Sequence, residues 1–451
     1  MIILGTNSIK DTGYDVANSL RFNSGSSDSL NRSASAGNRK TFTISSWIKP
    51  STTGYGVFFS GKSASTSYAN VQFPNGSSKL QFTEYQNGDT INLETNRLFR
   101  DISAWWHVVI AVDTTQGTAS NRIKLYLNGV QETSFATETY PSQNADTVFN
   151  SSSSTHRIGC NNDADGGFFN GYIAETVLID GSQLAPDQFG EFDSDSGIWK
   201  PIDVSGLTFG TNGFYLDFEN SGALGNDAAG SNNFTVNNLT AIDQSTDTCT
   251  NNFSTYNPLI VTQSINSTPL FSDGNLKATF NNNSYSLFAL STFAVSSGKW
   301  FAEFKMTNIS GGSDTYVGVI ETEANFSADS SPIDSGTSYR GTGQRVISGS
   351  SASYGATYST GDIIGVALNC DDNEVVFYKN GASQGAVSIT ADKTYFMWTS
   401  DYSSKVIEAN FGSPSYAISS GNTDGDGYGN FEYAVPSGYF ALNTKNLAEY
   451  G

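Results

Sequence analysis

Residues 361–381 read GDIIGVALNCDDNEVVFYKNG. Ile364, Val366 and Leu368 fall on one side of a period-two alternation, and Val375 and Phe377 repeat it after the polar break Asn369-Cys370-Asp371-Asp372-Asn373. Asn380-Gly381 supplies the positive φ angles of a tight type I′ hairpin, so a third strand is expected to return through Ala382 to Ile389. Far upstream, RIKLYLNG (residues 122–129) has the same design: Ile123, Leu125 and Leu127 alternate with polar-edged residues before Asn128-Gly129. Two β-sandwich domains are expected, each with one such hairpin.

The composition agrees. A chain of 451 residues is long enough for two or three cores, and only 15% of it is charged. Abundant Gly, Ser, Thr and Asn suit many short strands joined by turns and disfavour long helices. The formal net charge of -20 repels phosphate backbones and anionic membrane surfaces, so neither nucleic acid nor membrane insertion is expected. The three cysteines, Cys160, Cys249 and Cys370, are far apart, which signals neither a disulfide framework nor a zinc site. The opening MIILGTNSIKDTG has no basic region before its apolar residues, so a secretory signal is not expected.

Along the chain, SLRF, FTISSWIKP, WWHVVIAVD, LYLNG and GYIAETVLID follow one another in an order that resembles the laminin-G-like branch of the concanavalin A-like lectin and glucanase sandwiches. From Ser194 to Pro258 periodicity fades, but Phe209, Phe214, Tyr215 and Phe218 need burial, so this stretch is expected to pack on the first sandwich. GKWFAEF, YVGV, GDIIGVAL, VVFYKNG and ANFG then resemble a SPRY domain, with Trp300, Ala302 and Phe304 on one face and Phe301, Glu303 and Lys305 on the other. The fold class expected is all-β: two antiparallel jelly-roll sandwiches, laminin-G-like at residues 15–195 and SPRY-like at 259–412. They are flanked by an anchoring segment at 1–14, a bridge at 196–258 and a tail at 413–451.

The ending PSGYFALNTKNL, the bridge LDFENSGALGND and the pairing of these two modules resemble virion structural proteins of marine bacteriophages, labelled tail-fibre or head-associated. That resemblance implies a non-enzymatic virion component on the particle surface. Other virion proteins, further copies of the chain and a bacterial surface glycan would be its partners.

Candidate chemistry was sought against that background. Laminarinase-type hydrolases of this fold use a Glu-x-Asp-x-x-Glu strand, and Glu191-Phe192-Asp193 lacks the third acid because Ser196 stands there. His107 and His156 are the only histidines, and His107 is expected to be a neutral, hydrogen-bonded strand residue. No catalytic residue is therefore named. A glycoside hydrolase with an unrecognised site, or a free lectin or adhesin, stands as the alternative.

In Asn422-Thr423-Asp424-Gly425-Asp426-Gly427, side-chain oxygens recur at alternate residues, as in an EF-hand-like calcium loop. Tyr433 occupies the place of the bidentate Glu, so an ordinary Asp/Asn/Gly surface turn stands beside that reading. Asn161, Asp163 and Asp165 form a second cluster, near where the laminin-G-like resemblance places calcium. For sugars, which stack on aromatic faces, the loop candidates are Tyr55, Tyr68, Tyr339, Tyr354 and Tyr402. The SPRY resemblance adds the Tyr339 to Arg345 loop and with it Arg340.

Overall fold

The computed structural model describes residues 9–261, 267–282, 286–309, 314–324, 336–401 and 403–451. The 361–381 stretch folds as the sequence requires: strands Ile363–Asn369, Glu374–Lys379 and Ala382–Ser388 form an antiparallel meander. Asn380 (φ 49°) and Gly381 (φ 78°) make the turn, matched upstream by Asn128 (φ 47°) and Gly129 (φ 78°). Each asparagine also ties its hairpin to the preceding strand. The Asn128 Oδ1 accepts from the His107 backbone N–H at 2.7 Å, and the Asn380 Oδ1 accepts from that of Ile363 at 2.8 Å.

The described residues divide into two contact units, Thr12–Thr250 and Asn251–Gly451, the latter with residues 9–11. In the first unit, sheet A orders its strands Val130–Gln131, Ile123–Leu127, Trp106–Asp113, Thr41–Pro50, Gly171–Asp180, Ser19–Phe22 and Gln244–Ser245, with Phe214–Leu216 added beside Gly171–Asp180. Sheet B runs Phe135–Thr139, Asp89–Leu98, Lys79–Gln86, Ser67–Phe73, Gly56–Ala64, Thr155–Ile158, Ser29–Ser33 and Thr235–Asn237. Their apolar faces meet in one core that includes Leu20, Phe42, Ile44, Ile48, Phe82, Ile110 and Leu125.

The second unit repeats the plan. Sheet C is built on Leu270–Ser272, Lys277–Phe280, Lys405–Asn410, Lys299–Asn308 and the meander; sheet D on Leu287–Val295, Tyr395–Asp401, Tyr316–Glu321, Gly336–Arg340, Gln344–Ile347 and Ser350–Ser353. Trp300, Ala302, Phe304, Val366, Leu368 and Phe377 fill the space between them.

In both units the sheet carrying the Asn-Gly hairpin is buried on its other face as well, and a segment outside the motif-bearing strands does the burying. On sheet A, residues 196–250 and the chain around Tyr14 cover Trp47, Val109, Tyr172 and Val177. The tyrosine hydroxyls of Tyr14 and Tyr215 reach Glu175, with Tyr215 donating at 2.8 Å. Asp247 forms a buried ion pair with Lys49 at 2.7 Å and accepts from the Trp105 indole at 3.1 Å. On sheet C, residues 413–451 cover Phe301 and Ala367 with Phe431 and Ala441, and Phe440–Ala441 pairs in parallel with Lys299–Asn308. The Glu303 carboxylate, fully buried there, accepts from the backbone N–H groups of Glu432 at 2.9 Å and Tyr433 at 2.8 Å.

The covers explain the hairpin glycines a second time. A Cβ on Gly129 would stand 2.4 Å from the Trp199 ring, and one on Gly381 would stand 2.7 Å from the Tyr433 ring. Each aromatic belongs to its unit's cover, so glycine serves both the positive φ and the close approach.

Two expectations are corrected. Residues 251–258, read as bridge, belong to the second unit, where Tyr256 is fully buried in the core. The stretch 413–451, read as a tail, is folded on sheet C and ends in the helix Thr444–Tyr450, capped by the Asn443 side chain. Residues 1–8 of the expected anchoring segment lie outside the described residues. Among the described residues, no helix is long and apolar enough to cross a membrane.

Candidate functional site

Because side chains alternate across a strand, a sheet packed on one side presents its remaining residues outward. On sheet B the outward set includes Tyr68, Asn70 and Gln72 from Ser67–Phe73, Lys79, Gln81, Thr83 and Tyr85 from Lys79–Gln86, and Asn92 and Glu94 from the neighbouring strand. Tyr68 stands opposite Tyr85, with rings stacked 5.4 Å apart at 18°. Farther along the same strands, past the Asn70–Thr83 pair, a row of neutral amides crosses the face. The Gln72 amide donates to Gln81 Oε1 at 2.8 Å, and the Gln81 amide donates to Asn92 Oδ1 at 3.0 Å. The face offers an aromatic pair and, beyond the Asn70–Thr83 pair, pre-oriented neutral donors and acceptors, with Lys79 and Glu94 paired at 3.1 Å alongside. That combination suits a ligand with an apolar face and hydroxyls at its rim.

The 160–167 loop borders this face. The Ser60 hydroxyl donates to the Cys160 carbonyl at 2.9 Å and the Asn70 amide to Asn162 Oδ1 at 3.4 Å. Within the loop, Asn161 Oδ1 accepts from the backbone N–H groups of Asp163 and Asp165, its amide donates to Asp165, and Asp163 pairs with Lys62. A lysine ammonium inside the set and oxygens already engaged do not fit a calcium cage. Tyr55, 38% exposed, lies against Gly167 at the loop's far end. Thus the 160–167 loop runs from Lys62, the strand partner of Tyr68, to Tyr55 at the opposite end of the Gly56–Ala64 strand.

The second acidic loop is a hydrogen-bonded staple. Asp424 is buried and accepts from the N–H groups of Asp426, Tyr428 and Ala441 and from the Asn446 amide. Asp426 receives the Tyr450 hydroxyl, and the Asn422 amide donates to the carbonyls of Phe431 and Glu432. With Asp424 saturated, these residues do not fit a calcium ion either. Among the described residues, no group of three or more His, Cys, Asp and Glu side chains is placed to hold a metal.

The SPRY-side candidates are relocated. Tyr339, expected in a loop, lies on Gly336–Arg340 with none of its surface exposed, packed edge-on against Tyr354 and Tyr358. Its hydroxyl donates to the Ala356 carbonyl. Tyr354 is half-buried on Phe377, and its hydroxyl donates to the Gly385 carbonyl. Arg340 pairs with Asp314 at 2.8 Å and sits over the Tyr316 ring. Tyr402 lies outside the described residues.

Three buried groups whose protonation is strongly displaced serve the frame. His107 is fully buried, stacked on Trp47 and Trp199; Trp199 donates its indole N–H to Nδ1 at 3.0 Å. The proton must then be on Nε2, which donates to the Ser45 hydroxyl at 2.8 Å. Burial pushes the imidazole down to about 3, so it is neutral. Burial likewise pushes Glu175 up to about 8 and Glu303 up to about 7, and both hold cover segments in place.

Tyr85, Gln72, Gln81 and Asn92 were not singled out from the sequence. The signal was there: KLQFTEYQ and INLETN alternate, and their polar positions line up once the register is known.

Comparison with known proteins follows the same division. Residues 23–187 match the Laminin_G_3 model, described as the concanavalin A-like lectin/glucanases superfamily, and residues 299–413 match the SPRY domain model. Among solved structures, the SPRY domain of human HERC1 is 19% identical, with 34% of this chain and 96% of that chain covered and a TM-score of 0.29. The heptameric SAP-like pentraxin from Limulus polyphemus is 17% identical, with 39% and 81% covered and a TM-score of 0.30. Domain 4 of AbnA, a GH43 extracellular arabinanase from Geobacillus stearothermophilus solved with arabinotriose, is 19% identical, with 34% and 65% covered and a TM-score of 0.27. No curated protein matches the chain. The chain carries a concanavalin A-like Laminin_G_3 domain followed by a SPRY domain, a combination consistent with carbohydrate or surface binding.

Proposed function

We propose that this chain is a non-enzymatic recognition subunit of a bacteriophage particle, carried in several copies, whose first sandwich binds a neutral glycan of the bacterial surface across the outward face of sheet B. One observation carries the glycan reading: the Tyr68–Tyr85 stack and the Gln72–Gln81–Asn92 amide row share one outward face, on which Lys79 is paired with Glu94. Stacking on aromatic rings is worth about 0.5–1.5 kcal/mol per contact, so a single site is weak. Multivalent display would raise the avidity by roughly 10²–10⁴. The particle assignment rests on the sequence resemblance described above, and the acidic surface agrees with a partner other than nucleic acid.

The test is retention of the full chain on insoluble host cell-wall polysaccharide. Wild type is expected to be retained and Tyr68→Ala/Tyr85→Ala to elute at least tenfold earlier in a competing-glycan gradient. Equal retention of the double variant would defeat the site. Release of reducing ends on prolonged incubation would overturn the non-enzymatic reading in favour of a glycoside hydrolase. Mass spectrometry of purified particles addresses location, and absence of the chain from them would defeat that part.

A further inference from the structure

The cover of sheet C does more than bury Phe301. Where it meets the turns at one end of the second sandwich, Ser297, Lys299, Asp371, Phe440, Glu449 and Tyr450 line a cavity of about 390 Å³. It is a built feature. Gly298 has φ 77°, and a Cβ there would stand 2.6 Å from the Tyr450 carbonyl, so the cover's last helix docks against a position that tolerates only glycine. The Gly298 N–H donates to Asp371 Oδ1 at 2.8 Å, and the Cys370 N–H donates to the Gly298 carbonyl at 3.0 Å, joining the two turns. The Phe440 and Tyr450 rings are stacked 3.7 Å apart at 11°, and the Tyr450 hydroxyl is fixed on Asp426 at 3.0 Å. Charges at the rim are paired: Lys299 with Asp372 at 3.1 Å and Lys10 with Glu449 at 2.7 Å.

An aromatic wall and a rim of two ion pairs, the Asp371 carboxylate and a serine hydroxyl match a ligand with a C–H face and peripheral hydroxyls that donate to carboxylates. The volume falls in the range of roughly 300–1,000 Å³ typical of small-molecule sites. We propose that this cavity is a second glycan site, taking one or two neutral pyranose units and acting independently of the face on sheet B. Much of it is made by residues 438–451, beyond the matched SPRY stretch.

Saturation-transfer NMR on the full chain, with methyl glucopyranoside, methyl galactopyranoside and cellobiose as probes at millimolar concentration, tests this. Ring-proton transfer from at least one probe is expected. Measured in the Tyr68→Ala/Tyr85→Ala background, which removes the sheet B face, it should fall about tenfold on adding Tyr450→Ala and persist on adding Tyr450→Phe. Should Tyr450→Ala unfold the cover, seen as a lowered melting temperature, the rim variant Glu449→Gln replaces it, with a several-fold loss expected. Three results would each overturn the proposal: no transfer from any probe in that background; transfer there left intact by both Tyr450→Ala and Glu449→Gln; or binding of tetramethylammonium alone. The first sandwich can fail its own test while this one passes, because this one is read with the sheet B face removed.

Discussion

The two sandwiches solve one problem with different chemistry. Each must bury the second face of its hairpin-bearing sheet, and each uses a polar anchor sunk among aromatics. On sheet A the anchors are side chain to side chain: Lys49 with Asp247, and Glu175 with two tyrosine hydroxyls. On sheet C the Glu303 carboxylate instead holds backbone N–H groups of the cover, and Asp424 staples the cover to itself. A backbone anchor fixes the path of a chain whatever its side chains are, whereas a side-chain anchor fixes which residue sits where. The difference predicts how each cover fails.

The sharpest break is expected from Asp247→Ala, which leaves the Lys49 ammonium buried without its carboxylate. The cost should be about 3–5 kcal/mol, read as a lower melting transition in calorimetry of the full chain. Glu303→Ala leaves two backbone N–H groups and the Asn410 amide without this acceptor, about 1–3 kcal/mol for each buried group that finds no other partner. Read in the same calorimetry, a loss below about 1 kcal/mol would mean that the cover keeps its path without this carboxylate. Next come Gly129→Ala and Gly381→Ala, each about 2 kcal/mol by urea denaturation, from positive φ and the displaced Trp199 or Tyr433 ring. Equal losses would support one shared design; a neutral Gly381→Ala would mean Tyr433 yields without cost.

The smallest effect at any one pH is titration, but its sign separates the units. Glu303 and Glu175 bind their protons more tightly folded than unfolded. Each therefore contributes stability that is complete below the ordinary carboxylate value of 4.5 and lost as pH rises through about 7 and about 8 respectively. His107 and His156, both in the first unit, are pushed down to about 3 by burial. Their contribution is complete above the ordinary value of 6.5 and lost as pH falls through about 3. These groups give the first unit a maximum near neutral pH and the second a decline from pH 5 to 7. Urea midpoints across pH 5–8 should show this, and Glu303→Gln should flatten the second unit's slope.

How much of this could be read beforehand follows from what alternation records. Ile364, Val366 and Leu368 face the core because period two says so, and Asn-Gly fixes its turn through local φ. Alternation is silent about a strand buried on both faces. Trp47 and Val109 alternate with residues of the inter-sheet core, and the segment that covers them, residues 196–250, carries no strand periodicity to announce it. The same silence affected the site. Tyr68 was found by residue type, whereas Tyr85 and the amide row became visible only through cross-strand register, which no single strand encodes. Tyr339 shows the converse error, since a tyrosine between polar residues resembles a loop aromatic while its strand is buried on the ring's side.

The recognisable SPRY stretch ends at residue 413, just before the segment that shields Phe301 and Ala367. A fragment trimmed to that boundary would bare a greasy patch around an ionisable Glu303 and should self-associate on release from the ribosome. Anyone transplanting this module into another protein would need to carry residues 414–451 with it as an intramolecular chaperone.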